Sequence, residues 1–208
     1  MDVDDAALME AREAVRTAPD YGDPYQVIGK VYAKRNNYRR AFENYRLAVI
    51  FAPSKKIYRY NLALSYYNLG DFEGAIKQYD VIRGMWPDDP RSYYLTAKCL
   101  VKNKQYDEAV RVVQKAYSFS RYDTQDVLHI GDVLFEQKEY EKAQRVYDLV
   151  LQDKDKFEAV HLKLGKTYQA LGDVDRARKE YESALSRAPY NNEIKQALED
   201  LSAPAAAH

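Results

Sequence analysis

The chain has 208 residues, with 32 Lys plus Arg balanced by 32 Asp plus Glu. A formal charge of zero gives no electrostatic pull toward nucleic acid or an anionic membrane surface. The single cysteine, Cys99, excludes an internal disulfide and a cysteine metal cluster. Twenty tyrosines against one Trp and six Phe suggest one aromatic recurring in a pattern.

The first seventeen residues begin with the acidic Met1-Asp2-Val3-Asp4-Asp5, which is not a signal-peptide pattern. Ala7, Ala11 and Ala14 follow at helical spacing and Pro19 closes the stretch. Pro19, Pro53 and Pro87 are 34 residues apart, and Pro189 lies three further periods on. Blocks of that length cut at Gly22, Lys56, Pro90, Thr124 and Glu158 run to residue 191 without insertion or deletion. On this lattice residues 2–18 read as the second helix of an incomplete repeat.

Each complete block carries two apolar stripes at helical spacing. In the first stripe Ile28, Leu62, Thr96, Ile130 and Leu164 precede the small row Gly29, Ala63, Ala97, Gly131, Gly165. Tyr32, Tyr66, Leu100, Leu134 and Tyr168 follow three residues later. A polar pair then interrupts the pattern: Asn36-Asn37, Gly70-Asp71, Lys104-Gln105, Lys138-Glu139, Gly172-Asp173. Such pairs stop one helix and start the next. The second stripe holds Tyr38, Phe72, Tyr106, Tyr140, Val174, then Ala41, Ala75, Ala109, Ala143, Ala177, then Tyr45, Tyr79, Val113, Tyr147, Tyr181. An alanine kept five times out of five marks a close helix crossing, where a larger side chain would force the backbones apart. Residues 192–201, with one apolar side and a charged outer face, suit a closing helix. The tail 203–208, Ala-Pro-Ala-Ala-Ala-His, reads as a flexible end or a vector scar.

Tyr25, Ile28, Gly29, Tyr32, Ala41, Tyr45, Ala48 and Pro53 together resemble the tetratricopeptide repeat family. His161, Leu164, Gly165, Tyr168, Ala177, Tyr181, Ala184 and Pro189 match nearly as well. The middle blocks drift, with Thr96, Val113, Arg121 and Asp155 in place of the family's residues. The resemblance implies an all-α fold, a right-handed α-solenoid of stacked antiparallel helix pairs. Its expected parts are a half-repeat (1–21), five repeats (22–55, 56–89, 90–123, 124–157, 158–191), a capping helix (192–202) and the tail. The resemblance is specific for fold and says little about function.

No catalytic constellation stands out. His129 and His161 have no partner ligand at helical spacing, and His161 shares an aromatic row with Tyr25 and Tyr93. No glycine-rich phosphate loop or HExxH is present. Cys99 reads as a buried, inert thiol, and Asp88-Asp89-Pro90 as a turn between blocks. The chain is therefore expected to be non-enzymatic, with no cofactor and no metal.

The family resemblance implies that the first helix of each block lines a concave wall. Its expected groove residues are Lys30, Lys34, Ile57, Tyr60, Asn61, Leu64, Tyr67, Arg91, Tyr94, Lys98, Lys102, Asp132 and Phe135. Tyr60, Tyr67 and Tyr94 are read as anchors, and Leu95, Leu128 and Leu162 as packing between repeats. The cations favour a protein or peptide partner with acidic groups beside apolar ones, and Asp132 with Glu136 reverses the sign farther along. The family's chaperone-tail clamp fits poorly. Of Gln26, Lys30, Asn61, Arg91 and Leu95 at its positions, only Asn61 and Arg91 suit it.

Two other readings stay open. Ile50 and Trp86 fall outside the recurrent apolar rows, so an outer-face contact, or self-association through the solenoid ends, would make the chain an assembly unit. The half-repeat is consistent with a fragment of a longer protein, including an arm cut from an enzyme, and a regular array could also be engineered. The partner is not expected to be nucleic acid, no segment is expected to insert in a membrane, and the cytoplasm is favoured over export.

Overall fold

The computed structural model describes residues 3–119, 123–151 and 157–202. Arg121, Asp155 and the tail 203–208 therefore lie outside the described residues. Among those described, all regular structure is helical: α1 (Val3–Thr17), α2 (Gly22–Lys34), α3 (Tyr38–Phe51), α4 (Lys56–Asn68), α5 (Phe72–Met85), α6 (Pro90–Lys102), α7 (Tyr106–Tyr117), α8 (Thr124–Glu136), α9 (Tyr140–Val150), α10 (Phe157–Ala170), α11 (Val174–Arg187) and α12 (Asn192–Ser202). The protein is an all-α solenoid of helical repeats.

The chain divides into two compact units, residues 1–103 and 104–208. In the first, α2 packs on α3 and α4 on α5, while α3 meets α4 and α5 meets α6; α1 lies on α2. In the second, α8 pairs with α9 and α10 with α11, α9 meets α10, and α12 closes on α11.

The turns inside the pairs explain the polar dipeptides. Asn36, Gly70, Lys104, Lys138 and Gly172 all have positive φ, between 58° and 81°. In four of these turns the amide of the next residue bonds five residues back: Asn37 N–H to Tyr32 O (2.9 Å), Asp71 to Tyr66 (3.0 Å), Glu139 to Leu134 (3.0 Å) and Asp173 to Tyr168 (2.9 Å). This bond satisfies a carbonyl left over at the end of the first helix. The second helix is capped where the side chain is short. The Oδ1 atoms of Asn37, Asp71 and Asp173 accept from the amides of Arg40, Gly74 and Arg176. Gln105 and Glu139, one methylene longer, make no such cap.

The crossings follow the small rows. Ala41, Ala75, Ala109, Ala143 and Ala177 are all 0% exposed. Tyr45, Tyr147 and Tyr181 press against Gly29, Gly131 and Gly165, where an added Cβ would stand 2.4–2.6 Å from the ring. In the first unit one cluster joins Ala41, Tyr45, Ala48, Val49, Tyr58 and Leu62. A second joins Tyr60, Ala63, Ala75, Tyr79, Ile82 and Cys99. Burial of these large aromatic side chains is the main stabilising term.

Candidate functional site

In the first unit the expected wall is carried by α2, α4 and α6. Ile57, Tyr60, Leu64 and Tyr67 recur at steps of three and four and share one face of α4. Arg91, Tyr94, Lys98 and Lys102 do the same on α6. Ile57 and Leu64 are 48% and 49% exposed, so two branched apolar side chains stand open on one face.

The tyrosines between them are placed differently from expectation. Tyr60 and Tyr94 are only 6% and 7% exposed, so they pack the array instead of standing open as anchors. Gln26 and Leu128, at the same place in their repeats, are also buried. The Tyr60 hydroxyl donates to Asp89. Burial, and then that carboxylate, push its pKa far above the ordinary phenol value. Tyr67 is half-buried, with its ring 5.3 Å from that of Phe72.

The cations of α6 lie over these rings. The Arg91 guanidinium is 4.8 Å from the Tyr60 centroid, and the Lys98 ammonium is 5.7 Å from both Tyr67 and Tyr94. Aromatic faces attract cations but leave the charge unneutralised. Among the described residues, no carboxylate lies within ion-pair distance of Lys30, Arg91, Lys98 or Lys102. Lys34 differs, being paired with Asp4 at 2.8 Å. Asn61 Nδ2 is buried with no hydrogen-bond partner among the described residues, as are both polar atoms of Gln26.

The residue that the sequence did not single out here is Asp89. It caps α6, accepting from Ser92 N–H at 2.9 Å, and also takes Lys56 Nζ at 2.6 Å and the Tyr60 hydroxyl. Burial would raise its pKa, but these donors outweigh burial and hold it below the ordinary carboxylate value. Aspartate just before a proline at the first helical position is the signal that could have found it.

Trp86 is less open than Ile50. It is half-buried against the cluster of Tyr60, Tyr79 and Ile82, with Lys56 Nζ 5.1 Å from its ring. Ile50 stays 58% exposed.

In the second unit Asp132 Oδ1 accepts from Tyr147 Oη at 2.8 Å and from Lys163 Nζ at 2.6 Å. Its charge is thus largely offset locally. Phe135 is half-buried, 5.2 Å from the Tyr140 ring. With Glu136, Tyr147, Lys163 and Lys166 these two residues line a cavity of about 400 Å³.

Cys99 and His161 are engaged in packing, whereas His129 is exposed. The Cys99 thiol is fully buried and pushed up to about 12 by that burial, so it carries no thiolate at neutral pH. His161 is 8% exposed, bonds Glu180 at 2.5 Å and lies 4.0 Å from the Phe157 ring. Among the described residues no cluster of His, Cys, Asp and Glu could hold a metal ion. Nor is any described helix long and apolar enough to cross a membrane.

A family model described as anaphase-promoting complex, cyclosome, subunit 3 matches residues 34–116 and 79–150, and a tetratricopeptide repeat model matches residues 134–201. With the helix-pair fold, these matches define the class: the chain belongs to the tetratricopeptide repeat family. It is similar to BBSome complex member BBS4 of Bos taurus, 22% identical over 183 residues that cover 87% of this chain and 35% of that protein. The Mus musculus protein of the same description is 23% identical over 195 residues, covering 77% and 38%. The chain thus spans roughly a third of the length of these relatives.

Among solved structures, MamA superposes with a TM-score of 0.63 at 20% identity, covering 82% of this chain and 95% of that one. YrrB, described as a TPR protein with an unusual peptide-binding site, gives 0.62 at 18%, covering 93% and 98%. The APC/C hetero-tetramer Cut9–Hcn1 gives 0.59 at 17%, covering 96% and 40%. At these identities the likeness is one of fold.

Proposed function

We propose that the chain is a non-enzymatic interaction scaffold that holds an acidic, partly apolar segment of a partner protein against α4 and α6. One observation carries this reading. Arg91 and Lys98 are positioned over aromatic rings without a carboxylate, beside the exposed Ile57 and Leu64. A partner carboxylate would neutralise charge that the fold leaves open, and its apolar groups would cover the two exposed side chains. The relatives whose descriptions name complexes, the BBSome and the anaphase-promoting complex, support an assembly role. The repeat boundaries read from the sequence, 22–191 with a cap at 192–202, belong to the same reading.

The test is selection of random twelve-residue peptides on the purified chain. Enriched peptides should carry Asp or Glu next to apolar residues. They should lose binding to Leu64→Glu/Lys98→Glu, which alters exposed and half-buried positions and should keep the melting temperature. Peptides without acidic residues, or equal binding to the variant, would refute the site.

A second reading rests on Ile50, whose exposed side chain adjoins Phe51, itself 37% exposed. If this face joins copies of the chain, sedimentation should show association that Ile50→Lys removes. A monomer at high concentration would exclude it.

A further inference from the structure

Three helices bring donors to one point on the first unit, on residues other than the α4–α6 wall. Arg12 on α1 donates Nη2–H to Tyr32 Oη on α2 at 3.0 Å. Arg40 on α3 donates Nη1–H to the same oxygen at 3.5 Å, and its guanidinium lies 5.4 Å from the Tyr32 ring centroid. Two like charges thus converge on a neutral phenol, an arrangement that costs electrostatic energy unless an anion is present.

Three cations nearby are not in this state. Lys34 pairs with Asp4, Arg35 with Asp5 and Arg16 with Glu13. Among the described residues, no carboxylate lies within ion-pair distance of Arg12 or Arg40. Asp4, Asp5 and Glu13 are held by other cations, and two exposed guanidinium forks are left side by side. Burial alone would raise the Tyr32 pKa, but the hydrogen bonds and charges of Arg12 and Arg40 bring it below the ordinary phenol value. The phenol oxygen thus already senses a positive field.

We propose that Arg12, Tyr32 and Arg40 form a site for a phosphate monoester carried on a phosphorylated side chain of a partner protein. The remaining N–H groups of the two forks and the Tyr32 hydroxyl proton supply three sets of donors. A phosphoryl group offers three terminal oxygens and a charge near −2, which matches two guanidinium groups better than one carboxylate does. Arginine forks suit such oxygens in pairs. Both arginines are exposed, so the site is open and reads the tip of a side chain, without walls to enclose a larger ligand.

The experiment follows the arginine Nε–Hε resonances while the whole chain is titrated with inorganic phosphate, with a phosphoserine peptide, with its unphosphorylated form, and with acetate at matched ionic strength. Phosphate should shift the Arg12 and Arg40 signals saturably. The phosphopeptide should bind about tenfold or more tighter than the unphosphorylated peptide, the scale of one charge-assisted hydrogen bond. Arg12→Gln/Arg40→Gln should lose both responses, and Arg12→Lys/Arg40→Lys, which keeps the charge but not the forks, should lose most of the phosphopeptide preference. Circular dichroism should show all variants folded. Acetate acting as well as phosphate, or a phosphopeptide response that survives the glutamine pair, would overturn the proposal. Binding of inorganic phosphate alone, with no preference for the phosphopeptide, would overturn a partner side chain as its source.

Discussion

The ring of Tyr147 lies so close to Gly131 that a methyl group on that glycine would stand 2.4 Å from it. In another repeat the corresponding pair is Ala63 and Tyr79, both buried. The array therefore accepts either residue, but each helix pair is fitted to its own. Gly131→Ala should push α8 from α9 and cost about 1–3 kcal/mol, the usual range for overpacking. Urea denaturation should show a lower midpoint at constant slope.

Lys138 occupies, at φ 62°, the place that Gly70 and Gly172 fill in two other repeats. A side chain at such a φ costs roughly 1 kcal/mol. The neighbouring Glu139 makes no cap, whereas Asp71 and Asp173 do. Lys138→Gly with Glu139→Asp should therefore raise stability by about 1–2 kcal/mol. Thermal melts should show the increase, and Gly172→Ala should lower the melting temperature.

Tyr60 and Leu64 sit one turn apart on α4 yet should respond in opposite ways. Tyr60→Ala empties a buried site and strips Asp89 of a donor, so a loss of about 3 kcal/mol or more is expected. Leu64→Ala changes an exposed side chain and should stay within about 0.5 kcal/mol. Equal losses in chemical denaturation would show that Leu64 is covered.

Asp89 gives a pH signature. Its folded pKa lies below the ordinary 3.8, so the folded state favours the ionised form more than the unfolded chain does. That stabilisation is complete above the unfolded value and fades as pH falls through the folded one. Lys56, Tyr60 and the Ser92 amide are the groups that face the carboxylate. Stability curves of Asp89→Asn and the parent should differ most at neutral pH and approach each other as the pH falls below 3.8 and through the folded value.

The fold was legible because alanine at 41, 75, 109, 143 and 177 has one reading: a crossing too tight for anything larger. The site was harder to read. Gln26, Tyr60, Tyr94 and Leu128 share one place in the repeat and are all buried, yet their residue types vary. A packing row of changing composition leaves no sequence stripe, so two tyrosines looked like open anchors. Ile57 and Leu64, which the family resemblance puts on the wall, are exposed. The convergence of Arg12 and Arg40 joins residues 28 apart on different helices, which no local motif records.

The turns at 35–37, 69–71, 137–139 and 171–173 are three residues long and closed by a backbone bond reaching five residues back. Segments so short and tied have no slack to reach out and fold over a bound molecule. Recognition on these helix pairs falls to surfaces already rigid before contact, and most of the entropy lost on binding is then the partner's. Affinity should therefore be raised more by stiffening the partner than by altering these turns.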